Sequence, residues 1–248
     1  MRGGITLKIL SWNIQQGGSD KRIPQIAEQL NKHAPDVLIV TEYWEGPKGE
    51  RLQALLREAG YTYMKTSGGQ LKQNSILVAS LHSFEVVSSF YKRETNKERW
   101  LEIKLDKQNL HVLAVHIPTS NNKPQEKLDF WKEVNTFARE HSNTKSIIIG
   151  DYNTGLPEDA QGTPFYGTEY MKELIDLGWT DAWRHTHGSF AGYSWYSPKG
   201  NGFRLDHAFV SPTLKDAILE TYFSHRERLL GYSDHSVLVM ELLDEDNN

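Results

Sequence analysis

Hydrophobic positions along the chain fall into short solid runs and into spaced stripes, and the two kinds alternate. Solid runs bounded by polar or turn residues predict buried strands, as in "LKILSW" (Leu7 to Trp12) and "DVLIV" (Asp36 to Val40). Between them, "RIPQIAEQLNKH" sets Ile23, Ile26 and Leu30 at helical spacing, so the chain opens as β-α-β. A second helix is predicted over Gly49 to Ala59, with Leu52, Leu55 and Leu56 apolar. "ILVAS", "FEVVSSF", "WLEIKL" and "LHVLAVHI" then follow with only short polar breaks, which suits antiparallel strands. "PQEKLDFWKEVNTFAREH" starts with Pro124 at a first helical position and repeats Leu128, Trp131, Phe137 and Ala138 near helical spacing. The run Ser146 to Ile149 predicts another buried strand, and three more are predicted at Arg204 to Val210, Ile218 to Phe223 and Val237 to Leu242. No repeat, low-complexity tract or long linker divides the chain, and only the tail "DEDNN" is expected to be solvated. The pattern predicts a single mixed α/β domain over residues 1–248, with two sheets face to face and helices outside, because the strands are too many for one covered sheet.

Composition narrows the chemistry. With 38% of 248 residues hydrophobic, a sizeable core is available. The absence of cysteine removes disulfides, thiolate metal ligands and a cysteine nucleophile together, so any metal sits among oxygen and imidazole donors and hard divalent cations lead. Nothing before Leu7 resembles a charged region followed by an apolar one, and the chain is read as cytoplasmic. No stretch approaches the roughly 20 apolar residues of a membrane span, and mean hydropathy is -0.59. Net charge is only -4, so attraction to a polyanion must come from a bound cation or a local basic patch. Lys92-Arg93, Lys97 and Arg99, together with "HRER" (His225 to Arg228), are the candidates for such a patch; a solvated charge run is the other reading.

Polar residues gather at strand ends. Asn13 ends the first strand, Glu42 follows the second, His116 ends "HVLAVH", Asp151 and Asn153 follow "SIIIG", Asp206 lies in "FRLDHAFV", and Asp234-His235 precede "SVLVMEL". Where the strands of an α/β sheet end, rigidly held loops converge, so side chains distant in sequence can share one crevice. Each residue alone has an ordinary explanation as a turn former, a helix cap or a hydrogen-bonded packing histidine. Their joint occurrence singles them out.

The segments "SWNI", "TE" after an apolar strand, "GDYN", "FRLDH" and "SDH" resemble, in that order, the motif series of the endonuclease/exonuclease/phosphatase superfamily, over about residues 7 to 242. The resemblance implies a four-layered α/β sandwich, two packed mixed/antiparallel β-sheets flanked by helices, in agreement with the two-sheet pattern. It implies a divalent-metal-dependent phosphodiesterase as well. In-line attack of water on a phosphodiester requires neutralised phosphate oxygens, an activated water and a stabilised leaving alkoxide. By the resemblance, Glu42 and Asp234 are oxygen donors for Mg²⁺ or Mn²⁺, with Asn13 adding a neutral carbonyl. His235 contacts a phosphate oxygen or relays a proton while Asp206 fixes its tautomer and favours the imidazolium. Asp151 orients or deprotonates the water, and Asn153 holds the same water or phosphate by its amide.

"LIDLGWTDAWR" and "YSWYSPKGNGFRLDHAFVS" resemble the exonuclease III and abasic-site endonuclease branch, which implies DNA as partner and an exonuclease or endonuclease acting on duplex or damaged DNA. In that branch Trp195, Phe203 and Leu205 occupy the positions of an apolar pocket for a base-free sugar, against a reading as core aromatics. Arg99 and Asn74 match positions that contact the phosphodiester or its neighbours. Two departures stand out. The first motif continues as "QQGG" instead of "NGLRA". His116 stands where abasic-site enzymes carry tyrosine and resembles DNase I, sphingomyelinases and inositol-phosphate phosphatases. A histidine can pass a proton to the leaving oxygen at neutral pH, whereas tyrosine, with a pKa of about 10, mainly hydrogen bonds. DNase I-like enzymes back that histidine with a glutamate; Gln73 and Asn74 stand here instead. A phosphoesterase acting on a phospholipid or small phosphorylated metabolite is the alternative, and a non-catalytic binding scaffold a remote one. No obligate protein partner is evident, and a monomer is expected.

Overall fold

In a computed structural model, which describes residues 6–87, 91–121 and 123–244, the opening runs form β1 (Thr6–Asn13), α1 (Arg22–Lys32) and β2 (Val37–Tyr43), with β1 and β2 parallel. Next come α2 (Pro47–Glu58), β3 (Tyr63–Thr66), β4 (Ser75–Ser80), β5 (Phe84–Val86), β6 (Trp100–Leu105) and β7 (Leu110–His116). Helix α3 (Pro124–Glu140) leads into β8 (Ser146–Asp151), α4 (Thr168–Asp176), β9 (Thr180–Asp181) and α5 (Ala182–His187). The last part holds the short hairpin of β10 (Trp195–Tyr196) and β11 (Gly202–Phe203), then β12 (Asp206–Val210), β13 (Ile218–Ser224), α6 (Arg226–Leu229) and β14 (Val237–Leu243). Of the expected strand "FEVVSSF", residues 88–90 lie outside the described residues, as do 245–248 of the tail.

Two six-stranded sheets result, ordered β13-β14-β1-β2-β4-β3 and β5-β6-β7-β8-β12-β9. Three buried apolar clusters define the layers. Ile9, Val37, Ile76, Met240 of the first sheet and Ile103, Val112, Ile149, Ala208 of the second meet in the middle. On the outer face of the first sheet, Leu10, Leu38 and Val239 pack under Ile23, Ile26, Leu52 and Leu56 of α1 and α2. On the outer face of the second, Leu113, Ile148 and Phe209 pack under Phe130, Phe137 and Leu174 of α3 and α4. The strands are solid apolar runs because both of their faces are covered. This is the expected four-layered sandwich.

Sequence pattern misses β3, α4 and α5. β3 is an edge strand whose side chains are only partly covered, and α4 buries just Met171 and Leu174, too few positions for a stripe. Among the described residues no helix is long and apolar enough to cross a membrane.

Candidate active site

Strand direction explains why the polar ends meet. β1 runs parallel to β2, and β7 parallel to β8, so Asn13, Glu42, His116 and Asp151 all emerge at C-terminal strand ends. β12 is antiparallel to β8 and β14 to β1, which brings Asp206 and the residues preceding β14 to the same edge. Asp151 is in register with both His116 and Asp206. The parallel pairing requires Gly150: its φ is 147°, and a Cβ there would lie 1.9 Å from the Val115 carbonyl oxygen.

Asp151 is the point where the two sheets join. Its Oδ2 accepts from Asn13 Nδ2 at 2.9 Å across the sandwich, and its Oδ1 accepts from the Asn153 backbone N–H at 2.9 Å. Asn153 is held in the left-handed region (φ 46°), with Nδ2 donating to the Ile117 carbonyl. Burial pushes the Asp151 carboxyl up to about 7, against the opposing pull of His235; Asp206 adds to the rise.

Two imidazoles face Asp151 in opposite charge states. His235 Nδ1 donates to Asp206 Oδ2 at 2.8 Å, and its Nε2 lies 4.0 Å from Asp151 Oδ2. Burial lowers His235, but the Asp206 carboxylate outweighs it and carries the imidazole up to about 10, so it is an imidazolium at neutral pH. His116 Nε2 lies 3.8 Å from Asp151 Oδ2 and 3.9 Å from Glu42 Oε1. Its Nδ1 accepts from Arg99 NH1 at 2.9 Å. A guanidinium only donates, so Nδ1 carries the lone pair and Nε2 the proton. Burial, then Arg99 and His235, hold His116 well below 6.5. The register Trp100↔Val115 between β6 and β7 sets Arg99 opposite His116. His116 is therefore a neutral N–H donor at neutral pH.

Glu42 is presented by a bulge. β2 and β4 pair at Thr41↔Ile76 and then at Tyr43↔Ser75, which leaves Glu42 as the extra residue, with φ 53°. A bulge re-aims a side chain, and a left-handed glutamate is uncommon enough to mark a constrained position. The "QQGG" loop closes over it: Gln15, Gln16, Gly17 and Gly18 all have positive φ (56°, 52°, 68°, 67°), and the Gln16 N–H donates to Glu42 Oε2 at 2.7 Å. Glycine at 17 is required sterically, since a Cβ would lie 2.7 Å from the Trp44 side chain. Glu42 Oε1 lies 3.9 Å from His116 Nε2. Asp234 Oδ2 accepts from Trp195 Nε1 at 3.0 Å. Asn13 Oδ1 accepts from the Gln15 N–H and retains one lone pair. Asn13 is buried and Glu42 and Asp234 are partly exposed, and such oxygen donors suit a hard dication such as Mg²⁺ or Mn²⁺. A tighter buried group, Asp151, Asp206 and His235, also lies within ligating reach. There the His235 to Asp206 bond already occupies one donor pair, although Asp206 Oδ1 has no hydrogen-bond partner.

Beside Asn153 and His235 opens a cavity of about 390 Å³, lined by Trp195, Phe203, Leu205, Phe165 and Lys127 among others. Trp195 and Phe203 pack with ring centroids 5.8 Å apart and both remain half-buried, so they are pocket walls and not core. Asn74 Oδ1 accepts from Trp44 Nε1 at 2.6 Å. Of the proposed basic patch, Arg93 is paired with Asp129 and Glu133, Lys97 with Glu94, and Arg228 stacks over Tyr196.

Two features escape sequence reasoning. Lys127 on α3 is buried and donates to the Asn153 carbonyl at 2.5 Å, with burial lowering its pKa to about 8. Arg204, fully buried, bonds both Asp159 and Asp181 and thereby anchors the segment leading into Asp206. The "RLD" and "TDAW" strings are their only sequence traces.

A family model described as the Endonuclease/Exonuclease/phosphatase family matches residues 10–235. No curated protein sequence matches the chain. An AP endonuclease from Archaeoglobus fulgidus superposes with a TM-score of 0.81 at 22% identity, covering 94% of this chain and 98% of its own. A 3' phosphatase, NExo, from Neisseria, bound to a product DNA hairpin, gives 0.80 at 21% identity over 95% and 99%. The 3'-5' exonuclease NExo from Neisseria meningitidis gives 0.79 at 21% over the same shares. At such identities the likeness is one of fold.

Proposed function

Because the chain belongs to the endonuclease/exonuclease/phosphatase family, we propose that it is a divalent-metal-dependent phosphodiesterase acting on DNA, as an exonuclease or endonuclease with access to abasic sites. The observation that carries the reading is Asp151: a buried carboxylate near neutrality, fixed by Asn13 and Asn153 and faced by one charged and one neutral imidazole. A general base works best with a pKa near the operating pH, and this one is oriented through both oxygens.

Each group then has one task. Asp151 takes the proton of the attacking water, and Asn13 holds that carboxylate in place. His235 in its charged form neutralises a non-bridging phosphate oxygen, with Asp206 sustaining the charge. Asn153 contributes its remaining amide proton to the same water or phosphate. His116 donates Nε2–H without changing charge, which is the work a tyrosine hydroxyl does at this position. Glu42 and Asp234, with Asn13, would hold a Mg²⁺ or Mn²⁺ ion, which supplies Lewis-acid stabilisation of the phosphate and leaving oxygen. The aromatic cavity beside His235 suits an extruded base-free sugar, because burying its apolar face offsets the unstacking cost. Arg99, bound to His116, acts on the substrate through that histidine.

The test is turnover on abasic, nicked, linear duplex and single-stranded DNA and on phospholipid and inositol phosphates, each with Mg²⁺, Mn²⁺ or EDTA. Cleavage of DNA only with metal supports the reading. Turnover confined to the lipid or inositol substrates overturns it.

A further inference from the structure

Away from the strand-end site, β6, β7 and the end of α3 bring together Glu102, His111 and His141, whose ligand atoms all lie within 4.8 Å of one another. His111 is five residues before His116 on β7, about 17 Å away at the strand rise, and faces the other side of the sheet. The group is separate from the proposed catalytic centre.

Among the described residues, the hydrogen bonding of Glu102 is incomplete. Glu102 is 1% exposed, and its Oε2 has no hydrogen-bond partner. Oε1 lies 3.3 Å from His111 Nδ1, long for a charge-assisted bond. His141 Nδ1 lies 3.0 Å from the Phe137 carbonyl oxygen, which can only accept, so the Nδ1 proton is fixed there and Nε2 carries the lone pair in the neutral ring. That lone pair faces Glu102 Oε1 at 3.8 Å. Two acceptors turned toward each other in a buried site are reconciled either by a shared proton, which burial favours by raising the Glu102 carboxyl to about 7, or by a cation between them. An imidazole whose other nitrogen is held by a backbone carbonyl is the usual arrangement of a metal-binding histidine.

We infer that Glu102, His111 and His141 form a second metal site, for a zinc-class divalent transition ion. Two imidazoles and one carboxylate suit Zn²⁺, whose bonds of about 2.0–2.2 Å separate tetrahedral ligands by roughly 3.3 Å. Glu102 Oε1 lies 3.3 and 3.8 Å from the two imidazoles, near that separation, and all three ligand atoms lie within 4.8 Å of one another. His111 is partly exposed and provides the entry path, with water completing the coordination. The ion's effect is to tie the end of α3 to β6 and β7.

Co²⁺ titration of metal-stripped protein, read by its visible d–d absorption, tests this, with thermal unfolding with and without Zn²⁺ as the second readout. A Glu42→Ala background separates the two sites. There the Co²⁺ spectrum of a four- or five-coordinate ion with nitrogen ligands is expected, together with a Tm raised by Zn²⁺. Glu102→Gln and His111→Ala should each weaken binding by at least about ten-fold and abolish the Zn²⁺-dependent rise in Tm. His111 is partly exposed, so its variant disturbs the fold less than one at Glu102. Absence of bound Co²⁺ in the Glu42→Ala protein, or binding unchanged in Glu102→Gln and His111→Ala, would overturn the inference.

Discussion

Replacing Asp206 by asparagine removes the carboxylate 2.8 Å from His235 Nδ1 while keeping an oxygen that can accept the same hydrogen bond. In the intact protein His235 is raised from 6.5 to about 10, with burial working against the rise and Asp206 the largest contribution in its favour. Without that carboxylate, burial should return the imidazole to 6.5 or below. At about pH 8, the charged fraction then falls from nearly all to roughly 3%, so kcat/KM should drop roughly 30-fold if only the imidazolium serves. The shape of the profile is more telling than the drop. Intact enzyme should show an acid limb near 7, where Asp151 ionises, and an alkaline limb near 10. Asp206→Asn should pull the alkaline limb below the acid one and leave a narrow, low maximum near pH 7. The assay is the pH dependence of kcat/KM on a fluorescent DNA substrate, with the His235 ring titration followed by NMR. An unmoved alkaline limb would refute the assignment of His235 as the charged group.

Glu42→Ala should abolish most metal-dependent turnover and weaken Mg²⁺ or Mn²⁺ binding, read by calorimetry; equal activity in EDTA would contradict it. Asp151→Asn should lower kcat by several orders of magnitude. It should also raise Tm at alkaline pH: the folded pKa of Asp151 is raised, so ionising it costs stability as pH climbs from 3.8 through about 7, and the amide escapes that cost. Arg204→Met should destabilise the fold by about 3–5 kcal/mol in urea, because it strands the Asp159 and Asp181 carboxylates in the interior. Phe203→Ala should impair abasic-site incision far more than nicking of undamaged duplex; equal losses would reduce Phe203 to packing.

The strand-end chemistry is legible in the sequence because solid apolar runs stop abruptly at Asn13, His116 and Asp151, and parallel strands leave such ends on one edge. The charge state of His116 is not legible. It depends on Arg99, and that pairing follows from the antiparallel register of β6 on β7, which a linear reading does not contain. The basic run around Lys92 to Arg99 reads as a free surface because the partners of Arg93, Asp129 and Glu133, lie 36 and 40 residues further on. The bulge at Glu42 escapes for a similar reason: it shows only as a shift between Thr41 and Tyr43 against β4, while in sequence Glu42 is simply the residue after Thr41. Arg204 reads as an ordinary charge until Asp159 and Asp181 close on it from two separate segments.

In the proposed function, Asp151, held by Asn13 and Asn153 between the two imidazoles, drives metal-dependent hydrolysis of a DNA phosphodiester. Single-turnover cleavage of an abasic-site duplex by the intact protein and by Asp151→Asn, each with Mg²⁺ and with EDTA, tests it most directly. Rapid cleavage is expected only for the intact protein with metal, with Asp151→Asn binding the duplex equally well but cleaving it orders of magnitude more slowly. Comparable cleavage by Asp151→Asn, or cleavage by the intact protein that persists in EDTA, would contradict it.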